Sequence, residues 1–184
     1  MSENKLLILV EWEYDTLFFN KIILEYLEQS YDKIEFFEYA RIPDKITENI
    51  IKSKVEMNFN YIYLKDLDAS SCFPEKKDFI ITSIPTLNNE KIVVVIKEIE
   101  SWMIAGIVKE ILYDLGSKKE IVTSLGIHKR RFCSNDFYAN DFDKLVPRLM
   151  SKKLFVMNLL DFYDIRMAKE RNNSFKYFFE KFLS

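Results

Sequence analysis

Two aspartates, Asp66 and Asp68, follow directly on the apolar run Tyr61-Ile62-Tyr63-Leu64. Such a run reads as a buried strand. Residues leaving a buried parallel strand emerge at the carboxyl edge of the sheet, where open α/β sheets bind their ligands. Two carboxylates there repel each other, and a hard cation is the simplest partner for both. The layout recurs at the start of the chain, where Leu6-Leu7-Ile8-Leu9-Val10 runs into Glu11, with Asp15 four residues on. It recurs again after Ile92-Val93-Val94-Val95-Ile96, followed by Glu98 and Glu100. Side chains two apart in an extended segment point the same way, which aligns Asp66 with Asp68 and Glu98 with Glu100. A four-residue offset on a helix turns Asp15 back toward Glu11. The sequence thus predicts that these acids converge on one rim. An all-oxygen set suits Mg²⁺ or Mn²⁺ rather than zinc or copper. The matching chemistry is phosphoryl transfer, in which metal ions stabilise attacking and leaving oxygens. Helix capping competes for Asp15, and a capping or structural role competes for Glu98 and Glu100.

The elements that must position these acids alternate over the first two thirds of the chain. Strands are predicted at 5–10, 34–39, 60–65 and 92–96, and helices at 15–29, 44–57 and 101–115, the last ending at Gly116. Pro74 opens a short helix within 69–89, the segment least patterned. After Gly116 helices are predicted at 118–125, 141–150, 153–163 and 173–183, with Asp141 and Ser151 as N-caps. The expected fold is α/β: a mostly parallel, Rossmann-like sheet flanked by helices, with a C-terminal helical region. Residues 1–115 form the α/β core, and residues 116–184 form a helical region packed on it.

Composition narrows the function. A hydrophobic share of 48% against 30% charged residues describes a folded globular chain rather than a disordered one. Only three glycines are present, which disfavours a glycine-rich phosphate loop. Two cysteines, Cys72 and Cys133, and the single His128 cannot supply a structural zinc site of four Cys/His ligands. No apolar stretch approaches the about 20 residues that span a bilayer, and no signal peptide is evident, so a cytoplasmic protein with reduced thiols and no membrane association is expected. Residues 1–115 carry 13 Lys/Arg against 21 Asp/Glu, whereas residues 116–184 carry 14 against 8. An acidic front and a basic back fit metal binding in the first part and polyanion binding in the second, and equally fit two solvated surfaces that attract each other.

These motifs bring a family into view. Leu9-Val10-Glu11-Trp12-Glu13-Tyr14-Asp15, followed by Phe18-Phe19, resembles the first motif of topoisomerase–primase (TOPRIM) domains, in which a strand ends in Val-Glu-Gly-x-x-Asp. Asp66-Leu67-Asp68 resembles the family's Asp-x-Asp motif. Glu100-Ser101-Trp102 and Arg171-Asn172-Asn173-Ser174-Phe175 are similar to signatures of small stand-alone TOPRIM-like proteins. The resemblance implies a TOPRIM-type sheet in which Glu11, Asp66 and Asp68 bind Mg²⁺ and act on phosphodiester bonds, with Asp15 as a further catalytic candidate. The family's glycine after the glutamate is Trp12 here. Glycine permits backbone conformations that Trp does not, so either the turn is rebuilt or Trp12 occupies space beside the acids.

Candidates for nucleic-acid contact are Lys97, after the last strand, the run Lys129-Arg130-Arg131 beside His128, and Arg171, near Arg166 and Lys169. Lys65, just before Asp66, is placed either to neutralise a phosphate or to pair with the acids. Phe132 and Tyr138 flank the basic run and offer rings for base stacking or for anchoring the loop. Two functions follow. One is a Mg²⁺- or Mn²⁺-dependent phosphoryl-transfer enzyme, a nuclease acting on DNA or RNA with a water nucleophile. The other is a catalytically inactive TOPRIM-like module that binds nucleic acid or a partner protein in defence or repair.

Overall fold

A computed structural model describes residues 3–68, 70, 72–129 and 132–183. It divides into two compact units, 1–95 and 96–184. The division lies ahead of the boundary at 115 read from the sequence, because the helix after the last strand packs with helices of the C-terminal region.

The first unit holds a four-stranded, all-parallel sheet of β1 (Lys5–Val10), β2 (Lys33–Glu38), β3 (Phe59–Asp66) and β4 (Ile92–Val95), in the order β2-β1-β3-β4. The expected α/β fold is thus present, and its sheet is parallel throughout. Ile8 lies opposite Phe36 on one side and Ile62 on the other, and Asp66 lies opposite Val95. Alternation along the strands splits the apolar residues between two faces. Leu7, Leu9, Tyr61, Tyr63, Ile92 and Val94 form one face. They pack with Ile51 of α3 (Asp44–Glu56) and with Ile80 of α4 (Phe73–Ser83). Leu6, Ile8, Val10, Ile62, Leu64, Val93 and Val95 are buried on the other face.

The helix predicted at 15–29 starts earlier and is not regular. It runs as α1 (Glu13–Phe18), a π-helical segment Phe19–Ile23 and α2 (Leu24–Leu27). Phe19 meets Phe36 of β2 edge-on at 6.3 Å.

Helices dominate the second unit: α5 (Ile99–Ala105), α6 (Lys109–Asp114), α7 (Lys119–Ser124), α8 (Ala139–Leu145), α9 (Lys152–Leu160), α10 (Ile165–Arg171) and α11 (Asn173–Phe182). The single helix predicted at 101–115 breaks between α5 and α6. There the carbonyls of Gly106 and Ile107 accept from Asp164 N–H at 2.9 Å and from the Arg171 guanidinium at 2.8 Å. The Gly106 α-carbon also faces the Tyr163 ring so closely that an added Cβ would lie 2.7 Å from it. Ser151 caps α9 as predicted, with its hydroxyl accepting from Leu154 N–H at 3.2 Å. Asp141 does not cap its helix: α8 begins two residues earlier, behind Tyr138. Helix α10 has no counterpart among the predicted elements. Asp164 caps it by accepting from Met167 N–H at 2.9 Å. Among the described residues no helix is long and apolar enough to cross a membrane, and both cysteines are free thiols.

A closed polar network ties this unit together. Asn172 is fully buried. Its amide donates to the hydroxyls of Ser101 (3.2 Å) and Ser134 (3.0 Å), and its carbonyl accepts from Ser174 Oγ (2.9 Å) and Phe175 N–H (3.0 Å). Ser174 Oγ accepts in turn from the Trp102 indole at 2.8 Å and from Ile96 N–H at 3.0 Å. Ser101 donates to the Ile96 carbonyl at 2.9 Å. The amide uses both donors and both acceptor sites, and Ser174 uses its one donor and two acceptor sites. Removing one member leaves several buried groups without partners. Asn172→Ala is expected to cost about 3 kcal/mol in equilibrium denaturation, with an unchanged denaturant slope. A loss under about 1 kcal/mol would show that the network is dispensable.

Candidate functional site

The point where the strand order reverses lies between β1 and β3. The chain passes from β1 to β2 on one side and then to β3 on the other, and the crevice at the carboxyl ends of such strands is where open α/β sheets bind ligands. Glu11 leaves β1 and Asp68 follows β3 at this point. Both line one cleft of about 340 Å³, together with Trp12, Tyr39, Asp44, Lys65 and Phe79. Asp66, the last residue of β3, is not part of that lining.

Glu11 is 7% exposed. A carboxylate so far removed from water needs a cation or strong donors. Lys65, reaching from β3, ion-pairs with its Oε1. Tyr39 lies at 3.5 Å from the same oxygen, while its hydroxyl donates to the Leu64 carbonyl at 2.5 Å. The Tyr39 and Tyr63 rings stack at 4.6 Å. Burial, and after it the neighbouring Tyr63 hydroxyl and the Glu11 carboxylate, pushes the Tyr39 hydroxyl well above the ordinary phenol range. Burial likewise raises Tyr63. Both remain neutral, so Tyr39 serves as a donor at the strand end.

Asp68 adopts a left-handed backbone, φ +50°. That turn interrupts the extended run, so the expected common direction of Asp66 and Asp68 does not hold: the two-residue repeat applies only while the backbone stays extended. Asp68 Oδ2 accepts from Lys76 Nζ at 2.7 Å, and Lys76, on α4, is itself buried. Asp15 does turn back toward Glu11, but onto the main chain: its Oδ2 accepts from Glu11 N–H at 2.8 Å and Trp12 N–H at 3.1 Å. This satisfies two donors at the start of α1, which is the capping role. Trp12 has φ −136° and ψ 169°. The turn therefore uses ordinary extended backbone and needs no glycine, and the indole is 46% exposed beside the cleft.

The other candidates have partners of their own. In the second unit the Glu98 carboxylate accepts from Ala139 N–H, the first residue of α8, where a negative charge favours the helix N-terminus. Glu100, 7% exposed, pairs with Lys152 at 2.9 Å, and Lys152 also meets Asp143 at 2.8 Å. Burial opposes the Lys152 charge, but these two carboxylates outweigh it and raise its pKa. Lys97, at φ +63°, lies 4.7 Å from the Tyr138 ring, and a hydrogen bond with that tyrosine raises its pKa. Lys129 and His128 are exposed, whereas Arg130 and Arg131 lie outside the described residues. The Arg171 guanidinium turns onto the Ile107 carbonyl and the Phe132 ring, and burial lowers its pKa. Phe132 meets Phe137 edge-on and is buried, which fits loop anchoring.

Two partners of the cleft carboxylates escaped the sequence reading. Tyr39 read only as the end of an aromatic strand, and Lys76 lies in the segment with no clear pattern. The first of two adjacent lysines near the start of that helix gives no signal that it will be buried.

Among the described residues, no group of three Asp, Glu, His or Cys side chains stands together as a metal-holding cluster. The cleft carboxylates nevertheless suit Mg²⁺ in donor type. That ion is commonly held by one or two carboxylates, with water and substrate phosphate completing its shell. Glu11 and Asp68 fit that description, each with an ammonium in the position a cation would contest.

No protein-family model and no curated protein matches the chain. Among solved structures, the C-terminal region of the Burkholderia pseudomallei OLD protein is similar, with a TM-score of 0.61 over 96% of both chains at 14% identity. At that identity the likeness speaks for the fold alone.

The Glu11–Lys65 pair yields a direct test. Lys65→Met strands a buried carboxylate and is expected to cost about 2 kcal/mol. This is below the value for fully buried pairs, since the Lys65 side chain stays 25% exposed. Adding Glu11→Gln should recover part of that loss in thermal or urea denaturation. No recovery in the double variant would mean that Lys65 does not balance the Glu11 charge.

Proposed function

We propose that this chain is a TOPRIM-like protein that hydrolyses phosphodiester bonds of nucleic acid at the switch-point cleft, with Mg²⁺ or Mn²⁺ as cofactor. The observation that carries the reading is that Glu11 and Asp68, drawn from two sequence motifs some 55 residues apart, line a single cleft at the carboxyl edge of a parallel sheet. Glu11 and Asp68 would hold the ion, with Asp66 two residues before Asp68 in the chain. When bound, it supplies charge stabilisation for the attacking and leaving oxygens. Lys65 lines the cleft and would exchange Glu11 for a phosphate oxygen as substrate enters, while the buried Lys76 would hold Asp68 in place from outside the lining. Asp15 positions Glu11 through the main chain. Tyr39, kept neutral, fixes the end of β3 through the Leu64 carbonyl and does not act as nucleophile. Water is the nucleophile in this reading.

A second reading, a binding module without catalysis, draws on the same lysines: their pairing already neutralises both cleft carboxylates. Incubation with single- and double-stranded DNA and RNA, in Mg²⁺, Mn²⁺ or EDTA, separates the two. Hydrolysis is expected only with metal, and Asp68→Asn or Glu11→Gln should reduce it by about 100-fold or more while leaving the melting temperature within a few degrees. Absence of cutting, together with no metal-induced rise in melting temperature, would leave the binding module as the function.

A further inference from the structure

We infer that Trp12 and Arg41 form a stacking platform that selects single-stranded nucleic acid at the mouth of the cleft. The inference rests on the nucleic-acid reading of the cleft. Trp12 follows the buried Glu11 directly, yet 46% of it stays exposed. It lines the Glu11–Asp68 cleft and also a second cavity beside it, of about 540 Å³, which includes Tyr14, Glu38 and Arg41. The indole therefore stands at the border between the two spaces. The Arg41 guanidinium lies 5.4 Å from the indole centroid. That cation–π contact steadies the ring while leaving much of its surface to water.

An exposed indole held in this way accepts the flat face of any base, and the interaction is insensitive to sequence. A paired base offers its face only at a helix end, whereas an unpaired base in a flexible strand can lie on the ring while its phosphodiester reaches the adjoining carboxylates. The second cavity explains why Arg41 matters. Its other charged lining residues, Glu11, Glu13 and Glu38, are acidic and repel phosphate, so among the described residues the guanidinium is the one cationic lining group that a phosphate crossing it can pair with. Trp12 enters the turn through its main chain, which is plain extended chain: its N–H donates to Asp15 Oδ2, and its carbonyl accepts from Asp15 N–H and Thr16 N–H. A large ring is thus held at the site without being required to build it.

The chain carries two tryptophans, and Trp102 is fully buried, so a change in indole emission on adding ligand reports Trp12. Titrate the full chain, in Ca²⁺ to hold back cleavage, with a short oligothymidylate, an oligouridylate and a DNA hairpin duplex, and measure affinities in parallel by anisotropy of labelled strands. Both single strands are expected to quench the emission, and the duplex to leave it unchanged and bind more weakly. Trp12→Ala should weaken single-strand binding about tenfold without lowering the melting temperature, and Trp12→Phe should bind between the two but show no quench. Arg41→Ala should weaken binding and flatten its salt dependence. Equal affinity for strand and duplex, or undiminished binding by Trp12→Ala, overturns the platform while leaving the cleavage reading intact. Failure of every oligonucleotide to bind wild-type protein overturns both.

Discussion

The carboxyl edge of the sheet is organised by the cost of a desolvated carboxylate. Glu11 sits where β1 dives out of the core, almost wholly removed from water, and an uncompensated charge there would be strongly destabilising. Its neighbours are arranged around that fact. Lys65 comes from the adjacent strand to meet it, and Tyr39 sits beside it, held neutral by the same burial. Asp68 and Lys76 form the converse pair one strand further along, where the lysine is the buried partner and the carboxylate is exposed. The carboxyl edge of the sheet therefore carries two acid–ammonium pairs, Glu11 with Lys65 and Asp68 with Lys76. An isolated cluster of acids would have no such internal partners.

Backbone geometry decides which side chains take part. Asp66 ends β3 in register with Val95, while Asp68, two residues later, has turned into left-handed backbone and faces the cleft. At the other motif, Asp15 secures the first turn of α1, so that Glu11 and Trp12 leave the strand along a fixed path. Trp in place of glycine is tolerated because this path never enters the left-handed region.

Much of the fold was legible, and for physical reasons. Long apolar runs rich in β-branched residues, such as 92–95, can satisfy themselves only as buried strands, and their alternation with amphipathic helices requires a parallel sheet. The misses share a cause: tertiary contacts overrode local pattern. Continuous helical periodicity across 101–115 gives way where Tyr163, Asp164 and Arg171 claim the ground around Gly106. Helix α10 has a sequence with little apolar stripe and is set by the Asp164 cap. At the candidate site, position could be read but engagement could not. Glu11 and Asp68 at strand ends were recognisable, and so was Lys65 as a partner for the acids, whereas Lys76 reads as a common surface residue whose burial depends on packing. Glu98 and Glu100 have the same spacing as the aspartates, yet their partners are a helix N-terminus and a lysine of their own unit.

The most distinctive motifs are structural rather than chemical. Glu-Ser-Trp and Arg-Asn-Asn-Ser-Phe meet in a network where each hydroxyl, amide and indole fills a defined donor or acceptor slot. A saturated buried network accepts almost no substitution, since any change orphans two or three groups at once. Its residue types are consequently more tightly specified than those of an exposed site, where water can replace a lost partner. A reader of sequence alone meets that specification as a signature and is drawn to assign it chemistry. The cleft shows the opposite case: Glu11 and Asp68 carry only the weak signature of an acid after a strand, and it is the strand order β2-β1-β3-β4 that brings them to a common cleft. In this chain, therefore, sequence distinctiveness measures how completely a group is enclosed by protein, whereas chemical capacity follows from where the sheet topology leaves a charged group open to a ligand.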